Sequence, residues 1–194
     1  LIDGEVTFKE IMDAIEAAKE YIYVAFFIVR DDELGNRFAD ALIRQAGEGV
    51  TVRLLYDEVG SIRLKKSFIR RLRDAGIEIR PFNTRQGFVN RFQINFRNHR
   101  KLVVIDGHVA IVGGMNVGDE YLGEAAGMAP WRDTAVRICG ELSRQVQAAF
   151  AGDYYWAARQ DLPEANWQAN GGPQSRHGRG AVFATGPSDL RPRA

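Results

Sequence analysis

A histidine and a lysine two positions apart, His99 and Lys101, are the residues of this sequence best suited to chemistry. If Lys101 to Ile105 forms a strand, as its apolar run indicates, both side chains point to one face of that strand. An imidazole and an ammonium group on one face repel each other when both are charged, so the pair favours an anion between them. A phosphate group is the natural anion for such a site.

Three residues that follow fit the same ligand. Gly113 and Gly114 let backbone N–H groups approach an anion closely, and Asn116 can donate from its side-chain amide. His99 could then attack phosphorus, while Lys101 and Asn116 stabilise the charge that develops on the phosphoryl oxygens. The sequence shows no Ser-His-Asp set. We therefore predict phosphoryl transfer through a phosphohistidine, without a metal or another cofactor.

Hydrophobic periodicity outlines the elements that must position these residues. The predicted helices cover residues 8–18, 34–45, 61–75 and 142–158, and the predicted strands cover 21–29, 50–55, 77–81, 101–105, 109–112 and 134–138. Alternation of strand and helix over the first 81 residues predicts an α/β layered domain. Asp106-Gly107 predicts a tight turn between two strands. Residues 161–194 have the composition of a linker, and a brief strand is predicted at Ala181–Ala184.

The composition is that of an ordinary globular protein, with 194 residues of which 45% are hydrophobic and 26% charged. A formal net charge of +1 argues against a general nucleic-acid binder. Cys139 is the single cysteine, which excludes an intrachain disulfide and a cysteine metal cluster. No apolar run reaches the length of about 18 residues that a membrane span needs. Because the sequence starts at Leu1 rather than Met, we expect a piece of a longer protein.

The segment from His99 to Asn116 resembles the signature motif of the phospholipase D superfamily: His-x-Lys, four residues, Asp, six residues, Gly-Gly-x-Asn. Many members carry Gly-Ser at Gly113-Gly114, but Gly-Gly is familiar in the cardiolipin synthase branch. Further blocks are similar to bacterial cardiolipin synthases: Asp32–Leu42, Val52–Asp57 with Gly60-Ser61, Arg97–Lys101, Gly114–Gly123, Trp131–Asp133 and Asp153–Ala157. The resemblance implies a mixed, mostly parallel sheet flanked by helices on both faces.

Phosphatidyl transfer is the reaction that the resemblance implies. In that family a histidine attacks the phosphodiester of phosphatidylglycerol and releases glycerol, and a hydroxyl group of a second phosphatidylglycerol then displaces the histidine to give cardiolipin. The family's motif occurs twice, and its two histidines serve as nucleophile and as general acid and base. One copy occurs here. Residues 1–160 therefore resemble the first catalytic half-domain, and residues 161–194 a linker and the start of a second half.

The resemblance also carries over roles for single residues. His99 is the expected nucleophile, and Asp106 is the expected supporting catalytic residue. The expected phosphate ligands are Lys101, Gly114 and Asn116. Asp119 or Glu120 is expected to orient a histidine, as an acidic residue after the motif does in relatives. Since Asp-Gly pairs are common in turns, a purely structural role for Asp106 is at least an equal alternative.

The implied partners are phosphatidylglycerol or a related anionic phospholipid, a membrane surface, and a second motif-bearing half in the same parent chain or in a homodimer mate. The expected location is the cytoplasmic side of a bacterial inner membrane, with this piece itself soluble. Two alternatives stay open: a single-motif phosphodiesterase or nuclease completed by homodimerisation, and a non-catalytic half that binds phosphate or lipid.

The connection from Phe82 to Lys101 is a separate candidate for lipid contact. It interleaves phenylalanines with basic residues and has no acidic residue. Such a segment suits an anionic membrane surface, and it suits single-stranded nucleic acid equally well. Phenylalanines that fill the core of a basic loop are the third interpretation.

Overall fold

The computed structural model describes residues 1–82, 98–123, 131–168 and 180–185. Within these ranges six strands are present: β1 Tyr21–Phe26, β2 Thr51–Asp57, β3 Glu78–Phe82, β4 Leu102–Ile105, β5 Val109–Gly113 and β6 Ala135–Cys139. They form one sheet in the order β3-β2-β1-β4-β5-β6. The six strands predicted between residues 21 and 138 are therefore confirmed, with most of their ends shifted by one to three residues.

Helices cover both faces of this sheet, as expected for the fold class. The helices are α1 Gly4–Glu16, α2 Glu33–Gly47, α3 Lys66–Asp74 and α4 Glu141–Ala158, with a short 3₁₀ helix at Asp119–Leu122. The first three pack on one face, and α4 packs on the other. No helix in the described part of the chain combines the length and the apolar character that crossing a membrane requires.

The central strand β1 is buried along its whole length because both of its faces are covered. Ile22 and Val24 contribute to the core under α1, α2 and α3, whereas Tyr21 and Tyr23 contribute to the core under α4. This alternation is the period of two that a strand imposes on its side chains. A run without polar interruptions at Tyr21–Phe26 is therefore the sequence signature of the strand that both helix layers share.

The sheet is mixed, as predicted, but its parallel share is smaller than expected. Pairings β1–β2 and β2–β3 are parallel, whereas β1–β4, β4–β5 and β5–β6 are antiparallel. The Asp106-Gly107 turn explains part of the difference, because both residues have positive φ (50° and 69°) and reverse the chain between β4 and β5. The description "mostly parallel" is thus corrected to two parallel and three antiparallel pairings.

Three local expectations are corrected by the structure. The first strand ends at Phe26 rather than Val29, because the next backbone N–H groups bond to side chains instead of the sheet. The third helix begins at Lys66 rather than Ser61, after a pair of turns. The strand expected at Ala181–Ala184 is absent from this described segment, where the Val182 N–H donates to the Gln145 side chain (2.9 Å) and Val182 packs beside α4.

Two further predictions concern the chain after residue 160 and the connection that begins at Phe82. The chain stays on the α4 face beyond residue 160, since Leu162 is buried and Glu164 pairs with Arg53 (2.5 Å); the domain division at residue 160 stays a prediction. Most of the phenylalanine-rich connection, residues 83–97, lies outside the described residues. Its first residue, Phe82, stacks on Trp156 with 4.7 Å between ring centroids.

Replacing Phe150 with Ala should destabilise the domain strongly. Phe150 is fully buried and stacks on Tyr23 of the central strand, with 4.9 Å between ring centroids. Loss of a buried phenylalanine leaves a cavity and costs about 3–5 kcal/mol, measurable as a lower free energy of unfolding in urea. Tyr155→Ala on the same helix is the control, because that side chain is 52% exposed. Equal losses in both variants would contradict the assigned packing of α4.

Candidate active site

Several chain segments meet at one end of the sheet because of its topology. Strands β1, β2 and β5 end there, and the antiparallel strands β4 and β6 begin there. His99 and Lys101 precede β4, Asn116 follows β5, Asp57 ends β2 and Asp133 precedes β6. Residues that are far apart in sequence are therefore brought to one edge of the fold, next to the segment that follows β1.

His99 is open to solvent, and its ring leans against Phe27 with 4.8 Å between ring centroids. Partial burial lowers the pKa of His99, and the positive charge of Lys101 lowers it further, while the carboxylate of Asp57 opposes both. The imidazole is consequently neutral at pH 7. That protonation state leaves a ring nitrogen with a free electron pair, which a nucleophile requires.

Lys101 is almost completely buried, with 5% of its surface exposed. Its Nζ donates to the backbone oxygen of His99 (2.7 Å) and lies 5.3 Å from the centroid of the Phe27 ring. Burial lowers the pKa of Lys101 to about 8, against the opposing charge of Asp133. Both His99 and Lys101 thus lie close to the Phe27 ring, just before the first residue of β4.

The two residues beside His99 and Lys101 in the chain, Asn98 and Arg100, are tied to one carboxylate on α4. Asn98 donates its side-chain N–H to Asp153 (2.8 Å), and the Arg100 Nη1 donates to both Asp153 oxygens (2.6 and 2.7 Å). Burial raises the pKa of Asp153, whereas the Arg100 guanidinium lowers it. These bonds tie the residues on both sides of His99 to α4.

Asn116 lies at the site, but most of its side chain is used inside the protein. It is 5% exposed; its Oδ1 accepts from the Ile28 N–H (2.9 Å), and its Nδ2 donates to the Tyr121 hydroxyl (2.7 Å). A primary amide has two N–H bonds, so one donor remains for a ligand. Asn116 therefore joins the segment after β1 to the segment after β5, whatever else it binds.

Gly114 gives room to a carboxylate that the sequence analysis did not select. A Cβ atom at Gly114 would lie only 2.4 Å from Oδ2 of Asp133. The other oxygen of Asp133 accepts from the Thr134 N–H (2.7 Å), and the charge of Asp133 acts on buried Lys101. The glycine expected to bring its backbone to an anion thus also admits the acidic neighbour of the lysine.

Asp106 is not brought together with His99 and Lys101. It lies in the turn after β4, at the opposite end of that strand, and its carboxylate accepts from the backbone N–H groups of Lys19 (2.8 Å), Glu20 (2.9 Å) and Tyr21 (2.7 Å). The geometry therefore does not support the grouping of Asp106 with the catalytic residues. It supports the structural alternative, in which this residue holds the start of β1 against the β4–β5 turn.

The two acidic residues after the motif have partners on α2 and after β1 in this structure, and their expected role in orienting a histidine stays a prediction. Asp119 accepts from the backbone N–H groups of Glu33 (3.2 Å) and Leu34 (2.7 Å) in the first turn of α2. Glu120 pairs with Arg30 at 3.1 Å. Free N–H groups at a helix start are a common place for a carboxylate, and the sequence distance from the motif gave no sign of it.

Sequence reasoning missed Phe27, Asp57, Asp133 and Asp153 as neighbours of the motif. Phe27 lies within the first predicted strand, and Asp57 and Asp133 lie just outside two others, so a correct sheet order would have brought all three near the site. The described residues contain no group of three or more His, Cys, Asp or Glu side chains that could hold a metal ion. Of the other histidines, His108 follows the distant β4–β5 turn and His177 lies outside the described residues.

Comparison of the sequence with known proteins gives a consistent match. A family model described as "Cardiolipin synthase, PLD-like domain" matches residues 11–153. The chain is 55% identical over 163 residues to cardiolipin synthase A of Pseudomonas entomophila and 50% identical to that of Pseudomonas fluorescens. Each match covers 84% of this chain but 34% of the relative, so the chain spans about a third of the length of these relatives.

Solved structures share the fold at low sequence identity. NucT from Helicobacter pylori has a TM-score of 0.61 at 14% identity, covering 79% of this chain and 90% of that chain. Phosphatidylserine synthase from Haemophilus influenzae has a TM-score of 0.59 at 20% identity, covering 83% and 37%. Nuc from Salmonella typhimurium, a phospholipase D family member, has a TM-score of 0.54 at 18% identity, covering 79% and 89%. The expected phospholipase D-like fold is thereby confirmed.

Replacing Lys101 with Gln should raise the pKa of the His99 imidazole. The ammonium group beside His99 disfavours the protonated ring, so its removal makes protonation easier. The change can be followed by NMR titration of the His99 ring protons, because the chain has three histidines and each can be assigned by mutation. Lys9→Gln, an exposed position paired with Asp13 on α1, is the matched control. A pKa that stays constant or falls in K101Q would refute the electrostatic coupling.

Proposed function

Because this chain belongs to the phospholipase D-like domain family of the cardiolipin synthases, we propose that it supplies the nucleophile half of a phosphatidyltransferase active site. The substrates are two molecules of phosphatidylglycerol, and the products are cardiolipin and glycerol. The observation that carries the proposal is the neutral, solvent-open imidazole of His99 beside the buried ammonium group of Lys101.

In the first step, a ring nitrogen of His99 attacks the phosphorus atom of one phosphatidylglycerol. The bond from phosphorus to the glycerol oxygen breaks, and this oxygen takes a proton from an acid on the second half of the site. The products of the step are glycerol and a phosphatidyl group bound covalently to His99. The lowered pKa of His99 supports this role, because a neutral ring is available at physiological pH.

Lys101 stabilises the negative charge on the non-bridging oxygens during this attack. One N–H bond of its ammonium group is used on the His99 carbonyl, and two remain for phosphate oxygens. With a pKa of about 8, the cation is present below that pH and is lost above it, so its stabilisation fades as the pH rises past 8. Gly114, through its backbone, and Asn116, through its second amide N–H, complete the proposed phosphate ligands.

In the second step, a hydroxyl group of another phosphatidylglycerol attacks the same phosphorus atom. The bond from phosphorus to His99 breaks, the hydroxyl proton passes to the base on the second half, and cardiolipin leaves. One histidine cannot be the nucleophile and the acid of a single step, and this sequence carries one copy of the motif. The second half comes from the parent protein, since the 163 matched residues make up only 34% of the relatives' length, or from a homodimer mate.

The lipid substrate places this reaction at a membrane surface, and the bacterial inner membrane on its cytoplasmic side is the proposed location. Phosphatidylglycerol carries one negative charge at its phosphodiester, which matches the single ammonium charge of Lys101 at the sheet end. The same site would also accept the phosphodiester of a nucleic acid, and cleavage of DNA by the isolated chain would favour that alternative.

The nucleophile can be tested on this chain alone with a water-soluble 4-nitrophenyl phosphodiester. Nitrophenolate leaves without protonation, so the acid of the second half is not needed. We expect a burst of about one nitrophenolate per chain and a matching mass increase on a peptide that contains His99. The burst should be absent in His99→Asn and retained in His108→Asn. An equal burst in H99N would exclude His99 as the nucleophile.

Turnover of phosphatidylglycerol by the chain alone should depend on its assembly state. As a monomer, measured by light scattering, the chain should form no detectable cardiolipin, because the leaving glycerol lacks an acid. Robust cardiolipin formation by a proven monomer would refute the two-half proposal. A stable dimer that loses both association and phosphodiesterase activity on mutation of its interface would favour the homodimeric alternative.

A further inference from the structure

A cationic turn with an exposed apolar tip stands beside the candidate active site. We propose that this turn, residues 58–66 between β2 and the first residue of α3, docks on an anionic lipid bilayer and holds His99 at the level of the lipid headgroups. The inference rests on the proposed function, because it assumes a lipid substrate. It assigns a role to basic residues near α3 that the motif leaves unexplained.

The turn is rigid because its own backbone is bonded at several points. Asp57 Oδ1 accepts from the backbone N–H groups of Val59 and Gly60, each at 2.9 Å. The Ser61 N–H donates to the Asp57 carbonyl (2.9 Å), and the Leu64 N–H donates to the Ser61 carbonyl (2.9 Å). Ser61 and Leu64 are also buried. The side chains between these anchors are therefore held outward.

The tip of the turn is apolar and open to solvent. Ile62 is 78% exposed, which is the highest value among the large apolar side chains that the structure describes, and Val59 is 41% exposed. A single exposed apolar side chain is ordinary on a protein surface. Here the exposed isoleucine stands on a fixed turn at the substrate end of the sheet, where a membrane-bound substrate must approach.

Cations flank this tip. Arg63 and Lys66 are exposed, and no ion pair within the described ranges involves either of them. Lys65 pairs with Asp31 at 2.9 Å, and Glu58 is the acidic member of the turn itself. An apolar tip with a surplus of cations fits an anionic bilayer interface. The tip is aliphatic, which disfavours single-stranded nucleic acid, since bases stack on aromatic rings.

The turn and the nucleophile share one side chain, Phe27. A Cβ atom at Gly60 would lie 2.3 Å from the Phe27 carbonyl oxygen and 3.0 Å from its ring, so the turn packs directly on this residue. Ser61 Oγ donates to the same carbonyl (3.2 Å) and accepts from the Val29 N–H (2.9 Å). On its other side Phe27 contacts the His99 ring. A bilayer that receives the turn therefore lies next to the imidazole.

The test is co-sedimentation of the chain with vesicles of phosphatidylglycerol mixed with phosphatidylcholine, and with vesicles of phosphatidylcholine alone. We expect binding to the anionic vesicles that weakens with added salt. Arg63→Gln with Lys66→Gln should weaken this binding roughly 25-fold, at about fivefold per cation, and Ile62→Ser should weaken it by about tenfold. All these positions are exposed, so the variants should melt as the wild type does.

The controls are Lys19→Gln and Trp167→Ser, exposed positions near the opposite end of β1, and both should keep wild-type vesicle binding. Because tryptophan is the larger apolar group, loss of binding in W167S but not in I62S would indicate non-specific adhesion and overturn the inference. Equal binding to both vesicle types, or tighter binding to single-stranded DNA than to anionic vesicles, would also overturn it. The nitrophenolate burst separates the two proposals. A normal burst from the unmodified chain without binding to the anionic vesicles rejects docking alone, and the turn variants should lose vesicle binding while keeping a normal burst.

Discussion

The antiparallel pairing of β4 with β1, beside the parallel pairing of β2 with β1, is the constraint on which the site depends. Leu102 at the start of β4 pairs with Ala25 near the end of β1, so the residues before β4 meet the residues after β1. A shift of one residue in this pairing would turn His99 and Lys101 to the opposite face of the sheet. The complete burial of β1 between two helix layers holds the register, because each of its faces has a required set of neighbours.

At this end of the sheet two basic groups, His99 and Lys101, lie close together, and the pKa of each is lowered. The Lys101 ammonium sits among apolar neighbours, with one backbone carbonyl, one aromatic ring and the charge of Asp133 to compensate for its burial. Those interactions are insufficient to keep its pKa at the usual value, and the same charge disfavours protonation of His99. An anion bound beside Lys101 would supply a compensating negative charge, so anion binding and protonation of Lys101 favour each other.

The sequence allowed prediction of the elements and of the proximity of His99 to Lys101, since both depend on short-range patterns. A period of two or of 3.6 residues outlines strands and helices, and two positions along a strand determine a shared face. The roles of the carboxylates could not be predicted in this way. Asp119 accepts from backbone N–H groups at the start of α2, and Asp106 accepts from those at the start of β1. Asp133 and Asp153 approach the motif from more distant parts of the chain. Each of these contacts depends on the packing of elements that are far apart in the sequence.

The attachment of Asn98 and Arg100 to Asp153 joins the segment around His99 to the last turns of α4 in a single cooperative unit. Fluctuations that open a protein locally involve such units as a whole, with a free energy set by the contacts that must break together. The segment around His99 has no regular hydrogen bonding of its own, since β4 begins only at Leu102. Its resistance to local opening therefore depends on its contacts with α4. The stability of α4 determines how long the imidazole stays aligned.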